Sequence, residues 1–319
     1  MRVPVANPVL RRELLERWRG RRAITVLTVY LLLLGGLLLL LRAVASSYLS
    51  DAMRGGWGPT GGAAGPLLGR FLLENTLAVV LGLVLFIAPG YAAAQVAGER
   101  ERRTLGLLKI TLVRPRSIIL GKLGASTAWI VLLVIASAPI AASAFVLGGA
   151  TLGDLLRGLA VILVVAIGVA AIAIAVSSRA RRTTGAVVMT YAAVLALVVG
   201  TLIVAFAQYA LSDFVVEETR PFVLRFNPFY ALADATGASV DIGFGGIPSI
   251  LTPFAAMLPR MDAFLRGGPA PMVAEDGFVG AASSAGVWPV SVLLYLLLAA
   301  AAVALATRWL RPRDGVRET

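Results

Sequence analysis

The chain has 319 residues, 59% hydrophobic and 14% charged, with a formal net charge of +12. It contains neither cysteine nor histidine, which excludes disulfides, thiolate metal sites and thiol nucleophiles and removes the commonest general base and metal ligand. Its apolar residues run in unbroken stretches close to the ~20 needed to cross a bilayer core about 30 Å thick, a composition suited to lipid and not to a soluble core.

In chain order, residues 7–20 come first. Asn7 is a good N-cap, Pro8 suits the first helical position and Gly20 lies near the end. Leu10, Leu14 and Trp18 recur every four residues on one face, and Arg11, Arg12, Glu13, Arg17 and Arg19 cover the rest. This pattern predicts an amphipathic helix on the membrane surface, with Trp18 at headgroup level. A basic flank that only sets orientation would carry the same charge, so both uses stay open. The first apolar run, 23–41, follows arginines and precedes Ala43-Val44-Ala45, the outline of a secretory signal. It exceeds the usual signal core of about 7 to 15 residues, which favours a retained transmembrane helix.

The second run, 76–97, is preceded by Glu74 and Asn75. A carboxylate there either meets substrate at an outer mouth or is favoured by the dipole of a helix start. Gln95, and Gln208 in the fifth run, are polar residues near helix ends and read as interfacial or interhelical hydrogen-bonding groups. Residues 98–116 begin Gly98-Glu99-Arg100-Glu101-Arg102-Arg103-Thr104 and then place Leu105, Leu108 and Leu112 at helical spacing. That combination predicts a short amphipathic helix outside the membrane, suited to a groove on a partner or to the bilayer surface. Pro115 interrupts the chain, Ser117 is placed to cap the next helix, and Lys122 can snorkel back to the interface.

Further apolar runs occupy 123–147, 159–176, 186–211 and 288–307. Gly168, Ala171 and Ala175 allow close helix packing, either between subunits or within one. The 212–286 segment is too long and too apolar for a simple linker. Phe222, Phe226, Phe229 and Tyr230 in it suggest short helices lying on the outer leaflet or capping a pathway exit. Its carboxylates, including Asp213, Glu217, Glu218 and Asp234, have no catalytic spacing and read as solvated charges. Met257 and Met261 read as apolar packing, because two thioethers without His or Cys make a poor copper site.

The whole predicts an all-α integral membrane protein, a single transmembrane domain over 1–319. It has six transmembrane helices, an N-terminal interfacial helix, a cytoplasmic amphipathic helix and a long outer loop. Of the 29 Lys and Arg, 21 fall in the N-terminal segment, the loops between helices two and three and between four and five, and the C-terminal tail. The positive-inside rule puts those segments, and both termini, in the cytoplasm. A thiol introduced at Ser178 is then expected to label from the cytoplasm and one at Ser239 from outside.

The residues Asn7-Pro8, Arg12-Glu13-Leu14, Gly98-Glu99-Arg100-Glu101, Thr104-Leu105, Leu107-Leu108, Pro115-Arg116-Ser117 and Gly121-Lys122, with Asn227-Pro228-Phe229-Tyr230, carry a resemblance. The chain resembles the permease subunit of an exporter-type (type 2) ABC transporter across the whole six-helix layout. The resemblance implies that 98–116 is a coupling helix, with Glu99, Glu101, Arg102, Arg103, Thr104, Leu105, Leu108 and Pro115 facing a separate ABC ATPase subunit. It implies that the 7–20 helix lies alongside, and that a second permease subunit, identical or related, completes the pathway. It also implies cargoes ranging over drugs, lipids, polysaccharides and maturation factors.

The chain has no G-x-x-x-x-G-K-[ST] phosphate-binding loop: Arg116 stands where the first glycine should be, and Leu123 follows Gly121-Lys122. A motor must therefore be another polypeptide. None of the six runs holds an ionisable side chain, which argues against proton- or sodium-driven transport and mildly favours a lipophilic or amphipathic cargo. No cofactor, catalytic residue, metal site or nucleic-acid partner is expected; the lipid bilayer of the cytoplasmic membrane is. The alternative reading is a non-transporting membrane anchor that transmits force from an ATPase to an outer partner.

Overall fold

The computed structural model describes residues 21–54, 64–103, 115–211, 222–237 and 287–310. The 7–20 segment with Leu10, Leu14 and Trp18, the coupling-segment residues Thr104, Leu105 and Leu108, and most of the 212–286 loop lie outside the described residues.

Among the described residues every regular element is helical. Helix α1 spans Arg21–Arg54, α2 Ala64–Glu101 and α3 Pro115–Ala142, the last extended by a 3-10 turn, Ser143–Leu147. Helix α4 spans Leu152–Arg179. Helix α5, Thr183–Leu195, passes through a π-helical segment, Ala196–Gly200, into α6, Thr201–Leu211. A 3-10 turn, Phe222–Phe226, leads into the short α7, Pro228–Thr236, and α8, Val287–Leu310, is last. Six stretches are long and apolar enough to cross a membrane: Ala23–Asp51, Leu68–Glu101, Pro115–Leu147, Leu152–Arg179, Thr183–Gln208 and Val287–Leu310.

The helices outrun the apolar runs that predict them, because a charged residue ends a hydropathy window but not a hydrogen-bond ladder. The 38 residues of α2 extend about 57 Å at 1.5 Å per residue, well beyond the ~30 Å hydrocarbon layer. Glu74 consequently sits inside α2 and not at a helix start, so the dipole account of it does not hold. Ser117 lies in the first turn of α3, which begins instead at Pro115, the residue type best suited to a first helical position.

Helix α4 is the centre of the bundle and packs on α2, α3, α5, α7 and α8. Its small residues make this possible. A Cβ on Gly168 would lie 2.8 Å from Tyr295 Cδ1 of α8, and one on Gly158 would lie 2.6 Å from Leu77 Cδ1 of α2. Ala171 and Ala175 are buried in the same core. Of the two uses open to Gly168, Ala171 and Ala175, the structure therefore employs packing within one subunit. Thr151 and Asp154 start α4 with a reciprocal capping box: the Thr151 hydroxyl accepts from Asp154 N–H at 3.2 Å, and Asp154 Oδ2 accepts from Thr151 N–H at 3.1 Å. By contrast α1 and the α5–α6 span carry exposed apolar side chains, among them Leu32, Leu39, Val188, Met189 and Ile203. In a bilayer such surface meets acyl chains or another transmembrane chain.

In the described part of the long loop, α7 does not take the leaflet surface, one of the two places expected for that loop, whereas Phe222 ahead of it is exposed. Helix α7 is buried, with Tyr230, Ala231, Leu232, Ala233 and Ala235 packed against the spans.

Candidate functional site

The four predicted coupling residues that the structure describes on α2 and its end, Glu99, Glu101, Arg102 and Arg103, come together where α2 stops, and Pro115 opens α3 nearby in the chain. The backbone turns out of α2 with Arg102 N–H bonded to Gly98 O and Arg103 N–H to Arg100 O. Arg103 takes the left-handed conformation at φ 59° that a glycine would adopt more cheaply. Both arginines are exposed.

Each residue of the preceding turn grips a different helix. Glu99 Oε1 accepts from Lys122 Nζ of α3 at 2.8 Å, and Lys122 is only 2% exposed. The expected snorkelling of Lys122 is thus replaced by an ion pair between the buried ammonium and a partly exposed carboxylate, because α2 runs far enough to bring Glu99 over it. Arg100 donates to the backbone carbonyls of Ser178, at 2.6 Å, and of Ala180, capping the end of α4 where carbonyls lack helical partners. Glu101 Oε2 accepts from the hydroxyl of Thr183 at 2.5 Å and from its N–H at 3.3 Å. This carboxylate covers the start of α5, where the N-cap residue Arg182 makes no side-chain capping bond. One turn of α2 therefore ties α3, α4 and α5 together.

Deeper in the bundle the α2 ladder is shared with its neighbours. Pro89 has no N–H to offer Leu85 O. Tyr191 of α5 donates its hydroxyl to Phe86 O at 2.6 Å, an approach that a Cβ on Gly90 would crowd at 2.9 Å. Ser177 of α4 accepts from Val96 and Ala97 N–H at 3.2 and 2.9 Å and donates to Ala93 O at 2.5 Å. Gln95 makes the interhelical bond anticipated for it, donating to Ser126 Oγ of α3 at 2.6 Å, whereas Gln208 is exposed.

A second polar assembly closes the opposite end. Arg70 pairs with the buried Glu74 at 3.0 Å and donates to Thr236 O at 3.1 Å and to Gly237 O, capping α7 where Gly237 turns left-handed at φ 61°. Asp234, expected as a solvated charge, instead accepts from Trp288 N–H at 2.8 Å and so begins α8. Asn227 is fully buried. Its Oδ1 accepts from Phe229 and Tyr230 N–H at 2.9 and 3.1 Å, and its Nδ2 donates to Val198 O and Thr201 Oγ1 at 2.8 and 2.9 Å. A π-helical segment displaces carbonyls from their usual partners, and Asn227 supplies a donor to one of them. The Asn227-Pro228-Phe229-Tyr230 motif is legible in sequence; the π segment it serves is not.

Sequence reasoning missed Ser177, Thr183 and the capping role of Arg100. The first two look like ordinary small polar residues, and only the juxtaposition of distant segments gives them partners. An open apolar groove of about 640 Å³ runs along α3 from Leu120 through Gly124, Ala128 and Val131 to Ile135, with Ile167 of α4 on its wall. It offers no acid, base or anion-binding group. No group of acidic residues that could hold a metal ion occurs among the described residues.

A bundle of six membrane-spanning helices, without strands among the described residues, with a polar knot at one end and a capped short helix at the other, defines a multi-pass helical membrane protein. The chain belongs to the ABC-2 transporter family: the family model described as "ABC-2 family transporter protein" matches residues 7–314, nearly its whole length. It is accordingly a permease component of an ABC transporter, in a family of membrane proteins that work with an ABC ATPase. No curated protein matches it.

Proposed function

We propose that this permease exports a substrate across the cytoplasmic membrane by means of a separate ATPase subunit docked on the 98–116 segment. The observation that carries this reading is the knot at the end of α2. The chain leads directly from Glu101 into the amphipathic stretch of Leu105, Leu108 and Leu112, and the preceding turn holds α3, α4 and α5 by ion pair and helix caps. A displacement applied there reaches three spans at once.

In this reading the basic end faces the cytoplasm with both termini, where lysines and arginines are retained. The 7–20 helix rests on the inner leaflet through Leu10, Leu14 and Trp18. Two copies, or one copy and a related chain, enclose the pathway, and ATP-driven closure of the motor pushes the two coupling segments together, changing which side is open. The exposed apolar faces of α1 and α5–α6 support an assembly of this kind, because they leave surface for a second transmembrane chain.

Replacement of Leu105 and Leu108 by Asp tests the docking. Apolar anchors at an interface centre are worth about 2 kcal/mol or more each, so co-purification with the ATPase should fall at least about tenfold while membrane insertion is kept. Replacement of Arg102 and Arg103 by Gln should do less, since exposed rim charges act mainly on association rate and salt dependence. Full co-purification and full ATP hydrolysis by the double Asp variant would make the segment a surface anchor and overturn the reading.

A further inference from the structure

We propose that Ser177 is a positioning residue that makes the last turns of α2 move with α4, a role that rests on the coupling reading above. Its hydroxyl is fully buried. A hydroxyl has one donor and two acceptor positions, and here all three go to a different helix: Val96 N–H and Ala97 N–H enter, and the proton is given to Ala93 O. In an uninterrupted α-helix the Ala97 N–H belongs to Ala93 O. A side chain in contact with both members of that pair sits in the ladder itself.

This is not the ordinary behaviour of a helical serine or threonine, which bonds a carbonyl three or four residues back on its own helix. The adjacent Ser178 does that, donating to Ala175 O at 2.7 Å, and Thr190 does it with Ala186 O at 2.7 Å. Ser177 therefore acts as a graft between α4 and α2 and not as a local back-bond.

The position of the graft gives it a consequence. Upstream, around Pro89, α2 is at its weakest, with no N–H for Leu85 O and with Phe86 O bonded to Tyr191. Downstream, Arg100 binds the carbonyl end of α4. Ser177 and Arg100 together fasten residues 93–100 of α2 to α4 below the proline. A push on the segment after Glu101 is then delivered to α4, the central helix, instead of being absorbed by bending at Pro89. Without the graft, residues 93–97 lose their hydrogen bonds to α4 and only the ties around Gln95 and Glu99 to Glu101 remain, so the end of α2 flexes more readily about the proline while the motor remains docked.

Two measurements test this. In the permease alone, held in lipid nanodiscs, hydrogen exchange over residues 93–103 should accelerate about fivefold or more in Ser177→Ala, as expected for loss of a buried hydrogen bond. It should be near the parent rate in Ser177→Thr, which keeps the hydroxyl, and in Ser178→Ala, which loses an equally buried hydroxyl bonded within α4. In the reconstituted complex with Mg-ATP, Ser177→Ala should lower the rate of ATP hydrolysis about threefold or more without reducing co-purification of the ATPase, and Ser177→Thr should restore the rate.

Unchanged exchange in Ser177→Ala would overturn the graft. Faster exchange with an unchanged hydrolysis rate, or equal losses in the Ala and Thr variants, would overturn its role in transmission. Loss of co-purification in Ser177→Ala would likewise overturn it, because the hydroxyl would then hold the docking surface and not transmit through it. The exchange measurement involves no ATPase, so it stands even where the Leu105 and Leu108 experiment disproves the coupling reading.

Discussion

At Lys122 an ammonium group with almost no access to water meets the Glu99 carboxylate at 2.8 Å, so the lysine has lost most of its hydration while the carboxylate, 29% exposed, keeps part of its own. Such a pair adds little net stability, but breaking it leaves a buried charge and is costly. Glu99→Gln should destabilise the permease by about 3 kcal/mol, read as a lowered thermal midpoint in nanodiscs. Combining it with Lys122→Met, which keeps the stem and removes the charge, should recover part of the loss. Strictly additive effects would show that the two groups are not coupled. Asn227 is a neutral counterpart with its amide fully engaged. Asn227→Ala removes a helix cap and two donor bonds together and should cost about 2 to 4 kcal/mol by the same measurement.

Between elements, α4 makes a tight contact with α8, where Gly168 faces the ring of Tyr295. Gly168→Val should cost about 1 to 3 kcal/mol through overpacking. In a Tyr295→Ala background the same substitution should cost less, because the ring that blocks the new methyl groups is gone, and a double-mutant cycle measures the difference. Equal costs in both backgrounds would place the strain elsewhere. The fifth span shows another element-level device: the π segment gives α5–α6 an irregular ladder in mid-span, and α7 enters the bundle to supply the missing donor. The groups that α7 satisfies are as important to its position as its own apolar face.

For the whole molecule, the alternation of basic and acidic connections predicts sidedness, and a chain without cysteine is a clean background for testing it. Ser178, which the sequence offers as a reporter in a basic loop, is buried at the end of α4 and would label poorly from either side. Arg181, exposed in the turn between α4 and α5, is the better position. Arg181→Cys should react with membrane-impermeant thiol reagents from the cytoplasmic side only, and Ser50→Cys, exposed near the end of α1, from the outer side only. The reverse pattern would invert the topology and remove the coupling segment from reach of a cytoplasmic ATPase.

The sequence alone determined the class of this protein, because lipid imposes a one-dimensional rule: about 20 apolar residues per crossing, with backbone polar groups satisfied inside each helix. That rule places six spans, and the recurrent leucines after Arg103 and the Asn227-Pro228 cap are local enough to be seen without a fold. Tertiary structure decided what the polar residues do. Glu99 acquires Lys122, Arg100 the end of α4, Ser177 the ladder of α2, and Asp234 the start of α8. Their partners are 23 to 84 residues away in the chain, and no periodicity records which helix end will lie beside which carboxylate. Burial supplies the reason these contacts must form, since an unpaired ion or backbone group inside the bundle costs more than ordering a partner, but only the packing of the helices against one another selects the partner.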